Sequence, residues 1–327
     1  MGKRTMMRVG GLAAGLALAA QACGGRSPTS PSLGNSLAFT HSPIDPSAIT
    51  FITPLGNLNP PEHTLPTNHI YFYHPPTRLP VTAPAGGVIF EARRGSDDAL
   101  YVQAATGVLY YLAHIFLDGS IATGGEVSAG QYVGETNTTG AMDLGVSNDA
   151  VTLFFVRPER YIGFTIHADS PLKYFQEPAR STLYAKVRRN GADKDGKIDF
   201  DQPGRLAGNW FREGLAVADT ENFASGAQQL AFVRDVAEPA FVRVSIGGSL
   251  SLPGGFWIAD GVPDPADVTP ATGKVAYRLY NNALRIGAGN GLLIVQMLGD
   301  DRIQIETFPG STATTAEFTG ASLIYVR

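Results

Sequence analysis

The sequence predicts an all-β protein, with an antiparallel β domain followed by a second small antiparallel β barrel or sandwich. Three observations carry this. Of 327 residues, 38 are Gly and 22 are Pro, a density of chain punctuation that suits many short strands and tight turns. The apolar segments are four to eight residues long and rich in β-branched and aromatic side chains. No stretch keeps a helical period between capping residues. At 44% hydrophobic and 17% charged, the chain can bury a core, and its length fits two domains.

Charge and cysteine content exclude several classes. The formal charge is −4, so there is no basic footprint for nucleic acid. The single cysteine, Cys23, rules out a disulfide framework and a multi-cysteine metal site.

Residues 1–22 read as an export signal. Lys3, Arg4 and Arg8 form a positive start, Val9–Ala20 is a short apolar run, and Ala20-Gln21-Ala22 is a small-residue cleavage site before Cys23. The run is too short to span a bilayer. A lone Cys at this place resembles the lipobox of bacterial lipoproteins, with Ala20 where a Leu is usual. Ordinary secretory cleavage at Ala22 is the alternative. Cleavage would remove three positive charges and leave a mature charge of −7, so membrane attachment would come from the lipid alone. An Asp after the Cys would imply inner-membrane retention in the lipoproteins this start resembles; Gly24 stands there, so the resemblance implies the outer membrane, facing the periplasm or the cell surface. Residues 23–37 are Gly-, Ser- and Pro-rich and read as a flexible tether.

The first folded domain is expected over 38–180. Strands are predicted at Ile70–Tyr73, Gly87–Ala92, Ala99–Ala104, Val108–Ile115, Tyr132–Gly134, Val151–Val156 and Tyr161–His167. Pro-Pro, Gly-Gly, Asp-Gly and Ser-Asn pairs stand between them as turns.

Four pieces of this domain, in order, resemble the M23 peptidase family, zinc endopeptidases of the lysostaphin type (duplicated hybrid motif) that cut peptidoglycan cross-bridges. They are Val81-Thr82-Ala83-Pro84-Ala85-Gly86-Gly87-Val88, Leu109-Tyr110-Tyr111-Leu112-Ala113-His114-Ile115, Val127-Ser128-Ala129-Gly130-Gln131-Tyr132-Val133-Gly134 running on to Thr139-Gly140, and Pro171-Leu172-Lys173-Tyr174-Phe175. The match spans about 110 residues. It implies a zinc held by a His and an Asp four residues apart and by the second His of a late His-x-His. The first His of that pair and the His of the Leu-Tyr-Ala-His-Leu segment would act on the water and the oxyanion.

The resemblance breaks at the chemistry. Alignment puts Thr67 and Tyr71 at the early ligand positions and Met142 and Leu144 at the late histidines. Thr, Tyr and Leu are not usual zinc ligands, and Met rarely binds zinc. His114 alone survives, as a vestigial catalytic position. Tyr71, His69, His74, Met142 and Asp143 are the expected lining of the cleft, with no metal and no cofactor. The opposing expectation is a set of shifted ligands, in which His69, His74 and Asp143 join His114 as a zinc set legal by residue type. Five-residue spacing in a strand puts His69 and His74 on opposite faces, which a turn between them would undo. The bland reading makes His69 and His74 partly exposed turn residues and His114 a histidine satisfied by a hydrogen bond. His41 and His63 lie in Pro-rich connections, and His167 ends a predicted strand.

Asp193-Lys194-Asp195-Gly196-Lys197-Ile198-Asp199 resembles part of a calcium loop, but Gly191 and Gln202 stand at the terminal ligand positions, so an exposed polar turn is expected. No nucleophile elbow or phosphate loop is present.

Residues 181–203 read as a linker. The second β domain is expected over 204–327, opening with Leu206-Ala207-Gly208-Asn209-Trp210-Phe211, faintly like lipocalin-type barrels. Strands are predicted at Gln229–Val236, Phe241–Ile246, Lys274–Tyr280, Leu292–Leu298, Arg302–Phe308 and Ser322–Arg327, the last one closing the domain. Gly254-Gly255-Phe256-Trp257 and the 263–270 segment read as loops, either a ligand surface or ordinary loop packing.

Together these features imply a non-catalytic, M23-like cell-envelope lipoprotein, a pseudoenzyme binding a cell-wall peptide or glycan or an envelope protein. The alternatives are a zinc metallopeptidase with shifted ligands and a structural or carbohydrate-binding surface module.

Overall fold

The structure, a computed structural model, describes residues 36–327 apart from Asn222 and the side chain of Phe223. The export signal, Cys23 and most of the tether lie outside the described residues. None of the described helices is long and apolar enough to cross a membrane.

The N-terminal part is a ten-stranded antiparallel sheet. Its strands are β1 (Phe51–Thr53), β2 (His69–Tyr73), β3 (Pro80–Thr82), β4 (Gly87–Arg93), β5 (Asp98–Ala105), β6 (Val108–Leu117), β7 (Glu126–Val127), β8 (Tyr132–Thr136), β9 (Ala141–Asn148) and β10 (Ala168–Asp169). The order is β1-β2-β9-β6-β5-β4-β7, with β8 joining the far end of β6, β3 pairing β8, and β10 pairing β9.

Strict alternation divides the central strands. Ile70, Phe72, Leu100, Val102, Tyr110, Leu112, Leu144 and Val146 point into one core, where all are fully buried. Phe39, Leu172, Phe175 and Leu183 join the same cluster. The register Tyr71↔Asp143↔Ala113 and His69↔Gly145↔Tyr111 sets these residues on the opposite face. That face is the cleft side.

Three sequence expectations change here. Ala141–Asn148 is a central strand that was not predicted as one, because Asp143 and Gly145 lower its β propensity. Val151–Val156 is irregular, and Tyr161–His167 holds only a short helix, α1 (Gly163–Ile166). Both segments read apolar because they pack over β9 and its neighbours, not because they join the sheet: Leu153 N donates to Ile166 O at 2.8 Å, and His167 Nδ1 to Val151 O at 2.6 Å.

The segment expected as a linker is packed. After α2 (Ala179–Tyr184), Val187 bridges Ile52 and Gly196 bridges Leu55, and Ile198 is buried in the core. Gly196 has φ +79°, and an added Cβ would meet Leu55 O at 2.2 Å, so the turn needs glycine. The acidic residues of this turn already have partners: Arg189 pairs with Asp193 at 3.2 Å, Lys197 with Asp199 at 2.6 Å, and the Tyr184 hydroxyl donates to Asp195 at 2.8 Å.

The C-terminal part is a closed eight-stranded antiparallel barrel of β11 (Gly208–Arg212), β12 (Gln229–Arg234), β13 (Val242–Ile246), β14 (Gly254–Ile258), β15 (Lys274–Tyr280), β16 (Gly291–Gly299), β17 (Arg302–Pro309) and β18 (Leu323–Val326). β18 pairs both β17 and β11, so the last strand closes the sheet and leaves no free edge. Gly254-Gly255-Phe256-Trp257, whose paired glycines read as a loop, lies in β14. Trp210, Phe232, Tyr277 and Tyr325 fill the barrel interior, as eight strands enclose only side-chain volume.

Sheet and barrel share polar and aromatic contacts. Asn209 Nδ2 donates to Tyr161 OH at 3.1 Å, Asn209 N donates to Asp201 Oδ1 at 2.8 Å, and Phe211 of β11 belongs to the core of the sheet. Thr64 Oγ1 donates to Gly226 O at 2.8 Å. The described residues form one compact unit.

Candidate functional site

β6 builds the site by breaking its own regularity. Val108–Ala113 pairs with β9, and Ile115–Leu117 pairs with β8. On the other side Ala99 pairs with Ala113 and Asp98 with Ile115, so His114 has no partner in the register and forms a bulge. Its φ is +61°, in the left-handed region that His enters more readily than most side chains. Leu112 and Ile115 both face the core, whereas Ala113 and His114 both face the cleft. The backbone of the bulge is fixed by Asn137 N donating to His114 O at 2.9 Å.

Thus placed, the His114 ring lies between two carboxylates. Nδ1 is 2.7 Å from Asp97 Oδ2, and Nε2 is 3.3 Å from Asp143 Oδ2. The hydrogen bond to Asp143 and the two negative charges outweigh partial burial and raise the His114 pKa to about 9. At neutral pH it is an imidazolium with a donor for each acid.

His69 Nε2 is also 3.3 Å from Asp143 Oδ2, and its Nδ1 is 3.1 Å from Asn68 Oδ1. Burial dominates over the pull of Asp143 and lowers the His69 pKa to about 4, so this imidazole is neutral at pH 7. Asp143 is 4% exposed. Its burial opposes ionisation, but the histidines around it, His69 first, hold its pKa below the ordinary value. At neutral pH, where His69 has lost its proton, His114 is the charged histidine left beside the buried Asp143 carboxylate.

The aromatic surround is close. The ring of His63 lies 5.6 Å from that of His69, Tyr71 4.8 Å and Tyr111 5.9 Å. Burial and the Asp143 charge push the Tyr71 phenol well above its ordinary range, so it stays protonated. Tyr111 packs over Gly145, where an added Cβ would meet the ring at 2.2 Å. The ring also contacts Tyr101 at 5.2 Å and Phe164 at 5.0 Å.

Of the residues expected in the cleft, the structure gathers His69, Tyr71, Asp143 and His114. Met142 is not among them. It is fully buried on the core face beside Leu144, and the cleft positions of that strand are Ala141, Asp143 and Gly145. Met142 and Leu144 are two residues apart in one strand and so share the core face, not the cleft face. His74 stands one residue beyond β2, buried, with Nδ1 donating to Pro75 O at 2.7 Å, apart from the ion-pair cluster. Asp97 and His63 were missed. An acidic pair, Asp97-Asp98, opening a strand opposite the His114 segment was the available signal for the first; His63 carried none.

A zinc of the M23 kind does not fit the residues present. Thr67 and Tyr71, which the motif resemblance sets at the early ligand positions, are both buried, and the Thr67 hydroxyl donates to His69 O at 3.3 Å. Among the described residues no group of three or more His, Cys, Asp or Glu is arranged to hold a metal ion.

No protein-family model matches the chain. No curated protein matches it either. Several solved structures are similar to parts of it at low identity. A zinc-containing peptidase from Vibrio cholerae is 21% identical over 33% of this chain and 36% of its own, at a TM-score of 0.29. Csd3 of Helicobacter pylori is 15% identical over 42% of this chain and 35% of its own, at 0.31. A structure of the SpoIIQ–SpoIIIAH pore-forming complex is 15% identical over 46% of this chain and 96% of its own, at 0.31. This chain thus spans about a third of the length of the first two.

Proposed function

We propose that the protein is a non-catalytic, M23-like binding protein of the cell envelope, exported and held at the outer membrane through a lipid on Cys23. Its cleft would bind a cell-wall peptide or glycan, or a peptide segment of an envelope protein. One observation carries the reading. His69, Tyr71, Asp143 and His114 share one face of the sheet, and Thr67 and Tyr71 stand where the family resemblance calls for metal ligands. His114 is held as a cation between Asp97 and Asp143, so it has no free lone pair to take a proton from water. The groups left are donors and aromatic faces, which suit binding. The experiment is co-sedimentation of the purified chain with isolated peptidoglycan, with zinc content and release of cross-bridge fragments read in parallel. Binding without hydrolysis and without stoichiometric zinc is the expected result; failure to sediment refutes it.

A second reading, a metallopeptidase with shifted ligands, has one observation in its favour. His69 and His114 approach the same carboxylate oxygen of Asp143. One zinc per chain with chelator-sensitive cleavage would establish that reading instead.

A further inference from the structure

A cavity of about 200 Å³ opens beside His69, between the sheet and the barrel. We propose that it receives a primary ammonium on a short aliphatic stem, the side chain of a lysine-type residue in a bound peptide. The inference rests on the cleft reading above and names the group that the cleft recognises.

Size comes first. Pockets for drug-sized molecules run to about 300–1,000 Å³. This one is smaller and takes a single side chain rather than a glycan strand. Its walls suit an aliphatic stem, with Leu65, Pro66 and Ile162 contributing apolar surface.

Charge decides the head group. The lining includes two carboxylates, Glu62 and Glu221, and neither a lysine nor an arginine. A carboxylate or phosphate entering it would meet repulsion from both acids, whereas an ammonium brings three donors to an acceptor-rich wall.

Glu221 is already positioned. It accepts from Thr165 Oγ1 at 2.6 Å and from the Ile162 N–H. Thr165 Oγ1 in turn accepts from Asn68 Nδ2 at 2.8 Å, and Asn68 Oδ1 lies 3.1 Å from His69 Nδ1. A chain of hydrogen bonds thus ties the cleft histidine to this acid. An ionised carboxylate has about four acceptor sites, so two remain for a ligand. Fixing the acceptor beforehand lowers the ordering cost of binding. Glu62 is exposed, accepts from Asn59 Nδ2 at 3.3 Å and lines the same cavity as Glu221.

The test measures binding of two probes to the full chain by calorimetry: the tetrapeptide Ala-D-Glu-Lys-D-Ala, and the same peptide with its lysine Nε acetylated. The expected result is at least a tenfold loss on acetylation, with similar losses for the unmodified peptide in Glu221→Gln and Glu62→Gln. Glu62→Gln guards against a folding artefact at Glu221, since Glu62 anchors no buried segment. Equal binding of the two peptides overturns the ammonium assignment and leaves the cleft reading standing. Binding of neither also overturns the ammonium assignment, and co-sedimentation with peptidoglycan then decides separately whether the cleft reading stands.

Discussion

His114 Nε2 and Asp143 Oδ2 lie 3.3 Å apart because one residue is left over in β6. Ala113 pairs with Asp143 directly, so in a regular strand His114 would point to the opposite face, into a core of Leu112, Leu144 and Val146. The bulge, with its left-handed φ, turns the ring back onto the cleft face. A left-handed residue other than glycine costs about 1–3 kcal/mol, and here the charge of a buried aspartate offsets it.

Removing that ring should therefore destabilise the fold. His114→Ala leaves Asp143 buried without its cation, and the expected loss is about 2–4 kcal/mol, scaled down from the cost of breaking a fully buried pair because His114 is partly exposed. Asp143→Asn in the same background should recover part of it. Urea denaturation of the three proteins measures both, and an unchanged midpoint for His114→Ala would refute the account.

Stability should also depend on pH from two sides. The folded pKa of His114 is raised to about 9, so its contribution is complete below the unfolded value near 6.5 and fades as pH rises toward 9. The folded pKa of His69 is lowered to about 4, so its contribution is complete above 6.5 and fades as pH falls toward 4. Melting temperatures should peak near pH 6–7. His114→Gln should flatten the alkaline limb while leaving the acid one.

Gly145→Ala should be costly at a position that looks permissive in sequence. The new methyl would stand 2.2 Å from the Tyr111 ring, which Tyr101 and Phe164 also contact. Overpacking of this kind costs about 1–3 kcal/mol. Tyr111→Leu should relieve it, and a double-mutant cycle would show a coupling of opposite sign to the single loss.

Truncation after residue 322 should open the barrel. β18 pairs both β17 and β11, and the Arg327 guanidinium lies 4.2 Å over the Trp210 ring. Two long edges would then be exposed, so the shortened chain is expected to aggregate on purification, read by size-exclusion chromatography. A soluble monomer would contradict this.

Cys23→Ser should release the protein from the membranes of the producing cell, measured by fractionation. Equal partitioning of the two forms would remove the lipid anchor from the proposal.

The sequence by itself determined the β class, most strand positions and the closing role of the last strand, because period-two patterning and turn residues are local properties. It also singled out His69, Tyr71, Asp143 and His114. It did not place Met142, because strand phase is fixed only when β9 pairs with β2 and β6, and a shift of one residue exchanges core for cleft. It did not find Asp97 or His63, which reach the site through a bulge and a long connection. Only the tertiary structure decided that His114 meets Asp143, since that contact depends on a β6 residue with no partner on either side. The packed course of 181–203 and the cavity against the barrel were decided in the same way, by long-range contacts on which local sequence carries no signal.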